Sequence, residues 1–187
     1  MRIVLASRNA HKIVEMRRIV PNIDWVTMPD ELGDPPETGD TFEANALEKA
    51  RYVFEKTGML ALADDSGLEV DALGGRPGVW SKRYSPEATD TANNRLLLSE
   101  LADRPDRTAR YRCVIALVGP GVERVAAGAC EGAIGFAPVG TGGFGYDPLF
   151  VCAGGTRTMA ELAPHEKDAI SHRGAALAHL PRLLEGI

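Results

Sequence analysis

An apolar run at Leu60–Ala63 ends in the adjacent carboxylates Asp64 and Asp65, and that ending constrains the chain more than any other feature. Adjacent carboxylates repel, and removing them from water is costly, so a buried strand carrying both must meet them with a metal, a donor network or solvent. The surrounding pattern reads as strands at Leu60–Ala63 and Leu68–Val70 on either side of an Asp-Asp-Ser-Gly turn. If the strand continues through the pair, alternation sends the two side chains to opposite faces. One carboxylate can then take a cation while its neighbour holds a structural contact. The plain alternative is a β-turn in which Asp65 or Ser66 bonds its own backbone before Gly67.

The rest of the chain fits one domain, 1–187, with enough length to bury a core without disulfides. A net charge of -5 argues against generic nucleic acid as partner, so any positive site must be local. No stretch approaches the roughly 20 apolar residues of a membrane span, and the N-terminal apolar run is too short for a signal peptide. Cys113, Cys130 and Cys152 are odd in number and lack metal-site spacing, which suits thiols in a reducing cytoplasm. The expected protein is cytoplasmic, with neither membrane nor nucleic-acid polymer as partner.

Ile3–Ala6 reads as a strand, Ser7-Arg8-Asn9 as a turn, and the spacing of Ile13, Met16, Arg17 and Val20 as a helix ending at Pro21. A strand-to-helix turn aims backbone N–H groups and a helix dipole at one point, and Ser7, Asn9 and Lys12 add donors suited to phosphate. Ser7 is equally readable as the helix cap. From Pro29 to Glu43 comes an acidic loop without a Lys or Arg. A helix over Thr41–Thr57 follows, with Asp40 as expected N-cap, Glu43 in capping-box position and Gly58 as stop.

Ala88–Leu101 is expected to be helical with Leu97 and Leu101 inward, and Arg110–Val118 with Val122–Cys130 to form a hairpin around Gly119-Pro120-Gly121. Ser171 is expected to cap a final helix carrying Ala175, Leu177, Leu180 and Leu184. Between these lies Gly140-Thr141-Gly142-Gly143-Phe144-Gly145-Tyr146-Asp147-Pro148, where Phe144 between glycines suits a ring that stacks on a flat ligand. A hairpin tip with one aromatic anchored in the core is the competing reading. Lys167, His172 and Arg173 form a cation cluster; cations in a helix's first turn oppose its dipole and invite an anionic or carbonyl-bearing partner. Glu166 or Asp168 could instead neutralise them.

Together the segments Ser-x-Asn-x-x-Lys, Glu-Thr-Gly-x-Thr-Phe, Ala-Asp-Asp-Ser-Gly-Leu, Ala-Leu-Gly-Gly-x-Pro-Gly-Val, Gly-Gly-Phe-Gly-Tyr-Asp-Pro-Leu-Phe and Ser-His-Arg-Gly closely resemble the inosine/xanthosine triphosphate pyrophosphatase family. That resemblance implies an α/β fold, an elongated mixed β-sheet flanked by helices, with two lobes around a central active-site cleft, in a homodimer. It implies hydrolysis of ITP, dITP and XTP to the monophosphate and pyrophosphate with Mg2+. Two other readings remain open at this point: a pyrophosphatase for another modified nucleotide, and a nucleotide-binding module without turnover.

By the same resemblance, Ser7, Asn9 and Lys12 hold the triphosphate with Lys49, and Arg8, Ala10 and His11 share their segment. Glu37 and Asp65 bind magnesium, and Asp65 is also the general base. Ser66 touches the nucleotide. Phe144 stacks on the base with Gly145, Tyr146 and Asp147 beside it, while Lys167, His172 and Arg173 reach its 6-oxo edge or nearby oxygens. Arg8, Ala44, Trp80 and Asp168 depart from the family's usual Gly, acid, Tyr and Asn.

Overall fold

The computed structural model describes residues 1–187. Six strands, β1 (Arg2–Leu5), β2 (Asp24–Thr27), β3 (Ala61–Val70), β4 (Thr108–Gly119), β5 (Val122–Ile134) and β6 (Phe150–Cys152), form a sheet of order β2-β1-β3-β4-β5-β6. The sheet is mixed: β1 runs parallel to both β2 and β3, while β5 and β6 are antiparallel. Parallel neighbours need crossovers, and two helices supply them. They are α1 (Ala10–Ile19), between β1 and β2, and α2 (Phe42–Thr57), between β2 and β3. The remaining helices are α3 (Asp90–Glu100), α4 (Pro164–Ile170), α5 (His172–Leu177) and α6 (Leu180–Leu183). None is long and apolar enough to cross a membrane.

The chain packs as two compact units, and each has its own core. The first comprises Met1–Asp65, Cys113–Gly128 and Arg173–Ile187. Its centre is Ile3, Leu5, Leu62, Ile115 and Leu117 from the strands, with Met16, Ala176, Leu177, Leu180 and Leu183 from helices. The second comprises Ser66–Arg112 and Ala129–His172, and buries Leu68, Val70, Leu97, Leu101, Ile134, Leu149 and Phe150 together. Leu97 on the helix over Asp90–Glu100 and Leu101 at its C-cap both lie in this core, as their spacing predicts.

Four local expectations need correction. The Asp-Asp-Ser-Gly segment is not a turn: β3 continues through it. Side chains from elsewhere in the fold meet the carboxylates, so the backbone has no need to reverse. On α2 the N-cap is Thr41, whose hydroxyl accepts from the Ala44 N–H at 3.1 Å, rather than Asp40, so Glu43 makes no capping box. Gly58 ends that helix in the left-handed conformation, as expected.

Asn9 rather than Ser7 caps α1, accepting from the N–H groups of His11 and Lys12. Finally, Ser171 stands between α4 and α5, and the last apolar stretch is two short helices instead of one. Pro181 lacks an N–H and fits only the start of α6, so the helix restarts there. Of the apolar residues there, Ala176, Leu177, Leu180 and Leu183 are buried, and Leu184 is partly buried against them.

Candidate active site

In each unit the residues singled out in the sequence gather into a dense polar cluster. In the first unit it is built on Asp64 and Asp65, both buried on β3. Asp64 Oδ2 accepts from Lys12 Nζ and from Arg173 Nη2, each at 3.0 Å. Arg173, itself buried, uses its other terminal nitrogen on Glu15 of α1. Burial alone would push the Asp64 carboxyl up, but Lys12, Arg173 and Lys49 together outweigh it and hold the group well below the usual carboxylate range. Asp64 is thus a permanent anion sandwiched by cations. Nearby Cys113 feels burial and then the Asp64 charge, and its thiol is pushed up to about 12.

Asp65 has different company, supplied by one face of α2. Asn45 and Lys49 are four residues apart, so both project from the same side of the helix. Asn45 Nδ2 donates to Asp65 Oδ2 at 3.1 Å and Lys49 Nζ to Asp65 Oδ1 at 3.1 Å. Lys49 also donates to Glu37 Oε1 at 2.6 Å, which brings a second carboxylate to the same ammonium.

Glu37 is held there by its neighbours. The Thr38 N–H and hydroxyl donate to Glu48 at 2.7 and 2.8 Å, and the Gly39 N–H donates to Asn45 Oδ1 at 2.8 Å. Gly39 is required at that point, because a Cβ there would lie 2.6 Å from the Ala44 methyl. In contrast to its neighbour on β3, Asp65 has a raised pKa. Burial dominates, Lys49, Lys12 and Asn45 only partly oppose it, and Glu37 adds repulsion.

Lys49 stays charged: burial lowers its pKa, and Asp65, Asp64 and Glu37 more than reverse that. Two oxygen-donor carboxylates converging on one buried cation form a geometry that a hard divalent ion can take over. No cluster of three or more His, Cys, Asp or Glu side chains suited to a metal is present, so a ligand's own oxygens or water must complete such a shell.

At the start of α1, Ser7 Oγ accepts from the Asn9 N–H at 3.2 Å, and Asn9 Oδ1 is occupied in capping. Ala10 and His11 are exposed. Arg8 turns instead to the acidic loop, bonding Asp30 Oδ1 at 2.7 Å and the carbonyls of Pro29, Asp30 and Gly33. Its role in the structure is to fasten that loop.

The second unit's cluster is organised by Asp147, which is buried within the glycine-rich loop. Asp147 Oδ2 accepts from the Phe144 N–H at 2.9 Å and from Lys167 Nζ at 2.6 Å, while Oδ1 accepts from the Tyr111 hydroxyl at 3.2 Å. Burial and then the Asp147 charge push the Tyr111 hydroxyl far up, so it remains a neutral donor. Lys167 projects from α4 and lies 4.8 Å from the centre of the Phe144 ring. His172 stacks on Tyr111 with ring centres 4.6 Å apart.

Two side chains of α3 hold the next peptide. The Gly145 N–H donates to Asp90 Oδ2 at 2.6 Å, and its carbonyl accepts from Asn94 Nδ2 at 3.0 Å. Gly145 has a φ of 62°, a left-handed conformation that glycine adopts without strain. Gly143 makes room for the Asp147 carboxylate, since a Cβ there would meet Oδ2 at 1.9 Å. Gly140 and Gly142 lie against the Ala160 backbone, where a Cβ would fall within 3 Å. Three of the four glycines are thus needed for packing inside the loop.

The residues singled out in the sequence therefore fall into two groups. Lys12, Glu37, Lys49, Asp65 and Arg173 belong to the first unit's network, though Arg173 is committed to Glu15 and Asp64. Phe144, Gly145, Asp147, Lys167 and His172 belong to the second. Tyr146 is a core residue whose hydroxyl donates to the Ser81 carbonyl at 2.8 Å. Ser66 is half-buried on β3. Asn45, Glu15, Asp90 and Asn94 were missed. A polar residue one turn before Lys49, inside the apolar stripe of Ala46, Ala50 and Val53, is a readable signal for Asn45; nothing local marks the other three.

The Ham1 family pattern matches residues 3–183. This chain belongs to the Ham1 family. It is 53% identical over 190 residues to a protein of Nocardia farcinica named dITP/XTP pyrophosphatase, covering 96% of this chain and 92% of that one. A Ham1 protein of Coxiella burnetii has a solved structure that superposes with a TM-score of 0.90 at 43% identity, covering 100% of both chains. The Staphylococcus aureus Ham1 protein gives 0.89 at 39% identity, covering 100% of this chain and 99% of that one.

Proposed function

We propose that this Ham1-family chain hydrolyses deaminated purine nucleoside triphosphates, ITP, dITP and XTP, to the monophosphate and pyrophosphate. The observation that carries the reading is the convergence of Asp65 and Glu37 on Lys49. It is supported by relatives that bear the name dITP/XTP pyrophosphatase. The pair fits magnesium, because only oxygen donors are offered. Glu37 and Asp65 would hold the ion, which when bound lowers the pKa of water and neutralises phosphate charge.

The chain's own groups do the rest. Asp65, its second oxygen steadied by Asn45, accepts the proton of the water that attacks the α-phosphorus. Lys49 and Lys12 stabilise the charge that develops on departing pyrophosphate. Ser7 and the Asn9 amide nitrogen, the end not used in capping, contact phosphate oxygens. Ser66 touches the nucleotide.

In the second unit Phe144 offers its ring to a purine, with Gly145 beside it. Lys167 and His172 supply the donor side of recognition, because hypoxanthine and xanthine present an acceptor at position 6 where adenine presents a donor. Leaving a buried donor facing an amino group costs about 1–3 kcal/mol. Arg173 Nη1 and Nη2 pair with Glu15 and Asp64 in the first unit, which positions this guanidinium beside Lys12. The enzyme is read as one functional domain, a cytoplasmic homodimer.

A substrate panel tests the proposal. With ITP, XTP, ATP and GTP plus magnesium, ITP and XTP should release pyrophosphate at least ~100-fold faster than ATP. Preference for ATP, release of orthophosphate alone, or no turnover would overturn it. The same panel extended to modified pyrimidine nucleotides separates the nearest rival activity.

A further inference from the structure

The second unit also holds a pair of thiols that the proposed reaction does not use. Cys130 on β5 and Cys152 on β6 have their Sγ atoms 3.1 Å apart, although 22 residues separate them in sequence. The ladder explains the approach. Gly132 pairs with Cys152, and the Ala153 N–H donates to the Glu131 carbonyl at 2.8 Å, so Cys130 is the diagonal neighbour of Cys152 on the same face.

Gly132, directly opposite, has no side chain, so nothing on that partner stands between the two sulfurs. A Cβ at Gly132 would meet the Phe150 ring at 2.7 Å and the Val151 carbonyl at 2.2 Å, so the position stays open. The Met159 sulfur lies 3.8 Å from Cys152 and adds an apolar wall. Cys130 is buried and Cys152 partly exposed, so an oxidant meets Cys152 first. The hydrogen bond from Cys130 favours the Cys152 thiolate and lowers its pKa.

We propose that Cys130 and Cys152 are an oxidation site at which a two-electron oxidant of the hydroperoxide class closes an intrachain disulfide. With hydrogen peroxide as the oxidant, the Cys152 sulfur attacks one peroxide oxygen, the O–O bond breaks, and a sulfenic acid and one water form. The Cys130 sulfur then attacks the sulfenic sulfur, the S–S bond forms, and a second water leaves with the thiol proton. Both cysteines are oxidised, the peroxide is reduced, and the chain loses two hydrogens. The bond ties the edge strand β6, which follows the glycine-rich loop, to β5. Cys113, buried in the first unit beside Asp64, is an internal control.

The test is independent of nucleotide hydrolysis. The full chain is treated with hydrogen peroxide, denatured, alkylated and mapped without reduction. A Cys130–Cys152 peptide, alkylated Cys113, a mass lower by two hydrogens and reversal by a dithiol are expected. The link should form roughly tenfold faster in the folded than in the denatured chain. Cys130→Ser should convert the product to a Cys152 sulfenic acid that a cyclic diketone traps. Three alkylatable thiols after treatment, a link that includes Cys113, or equal rates in folded and denatured protein would overturn the proposal. The map of the unsubstituted chain decides it even if a variant fails to fold.

Discussion

The two units solve the same problem, a buried carboxylate, in different ways. In the first, Glu15, Glu37, Asp64 and Asp65 face Lys12, Lys49 and Arg173, so side chains neutralise side chains. In the second, Asp147 spends its oxygens on one backbone N–H, one hydroxyl and one ammonium. The first arrangement fixes charge. The second fixes the path of a loop. A network of paired charges sets the protonation of its acids, whereas a loop fastened through its own peptides presents a ring in one orientation.

Adjacent Asp64 and Asp65 sharpen the comparison within the first unit. Asp64 is held as an anion by Lys12 and Arg173, while Asp65 is pushed upward by burial and Glu37. Asp65→Asn should therefore lower kcat for ITP by about 1000-fold or more with little change in thermal midpoint, measured by pyrophosphate release and a melting curve. A binding module without turnover would have no such rate to lose.

Arg173→Met should do the reverse. It leaves Asp64 and Glu15 buried without that guanidinium, and denaturant unfolding should show a loss of about 3–5 kcal/mol. Should Arg173→Met instead alter base preference at unchanged stability, the structural role given to this residue would be wrong.

The smallest effect belongs to the second unit. Asn94→Ala removes one neutral hydrogen bond to the Gly145 carbonyl, worth about 1 kcal/mol. The KM for ITP should rise roughly fivefold, while kcat and cleavage chemistry stay the same. An equal fall in kcat would mean that α3 acts on the reacting groups rather than on loop position.

Much of this was legible in the residues. The Thr41–Thr57 helix announces itself by apolar spacing and Gly58, the hairpin by Gly119-Pro120-Gly121, and the acid pair by its place in an apolar run. Caps were less legible, since Asp40 and Thr41, or Ser7 and Asn9, are neighbours of similar chemistry, and backbone angles choose between them. Cys130 and Cys152 looked unrelated because only the register of β5 on β6 brings them together. The ion pairs of Arg173 were hidden for the same reason, because its partners Glu15 and Asp64 lie 158 and 109 residues away.

Sequence alone determined the periodic elements and the stock of acids, cations and glycines, because those depend on local spacing and on composition, and its ordered motifs carried the resemblance to a known family. Tertiary structure decided which acid is held ionised and which is pushed up by burial, and which cations pair within the fold. Those outcomes depend on burial and on charges distant along the chain, whose electrostatic effect is set by separation in space.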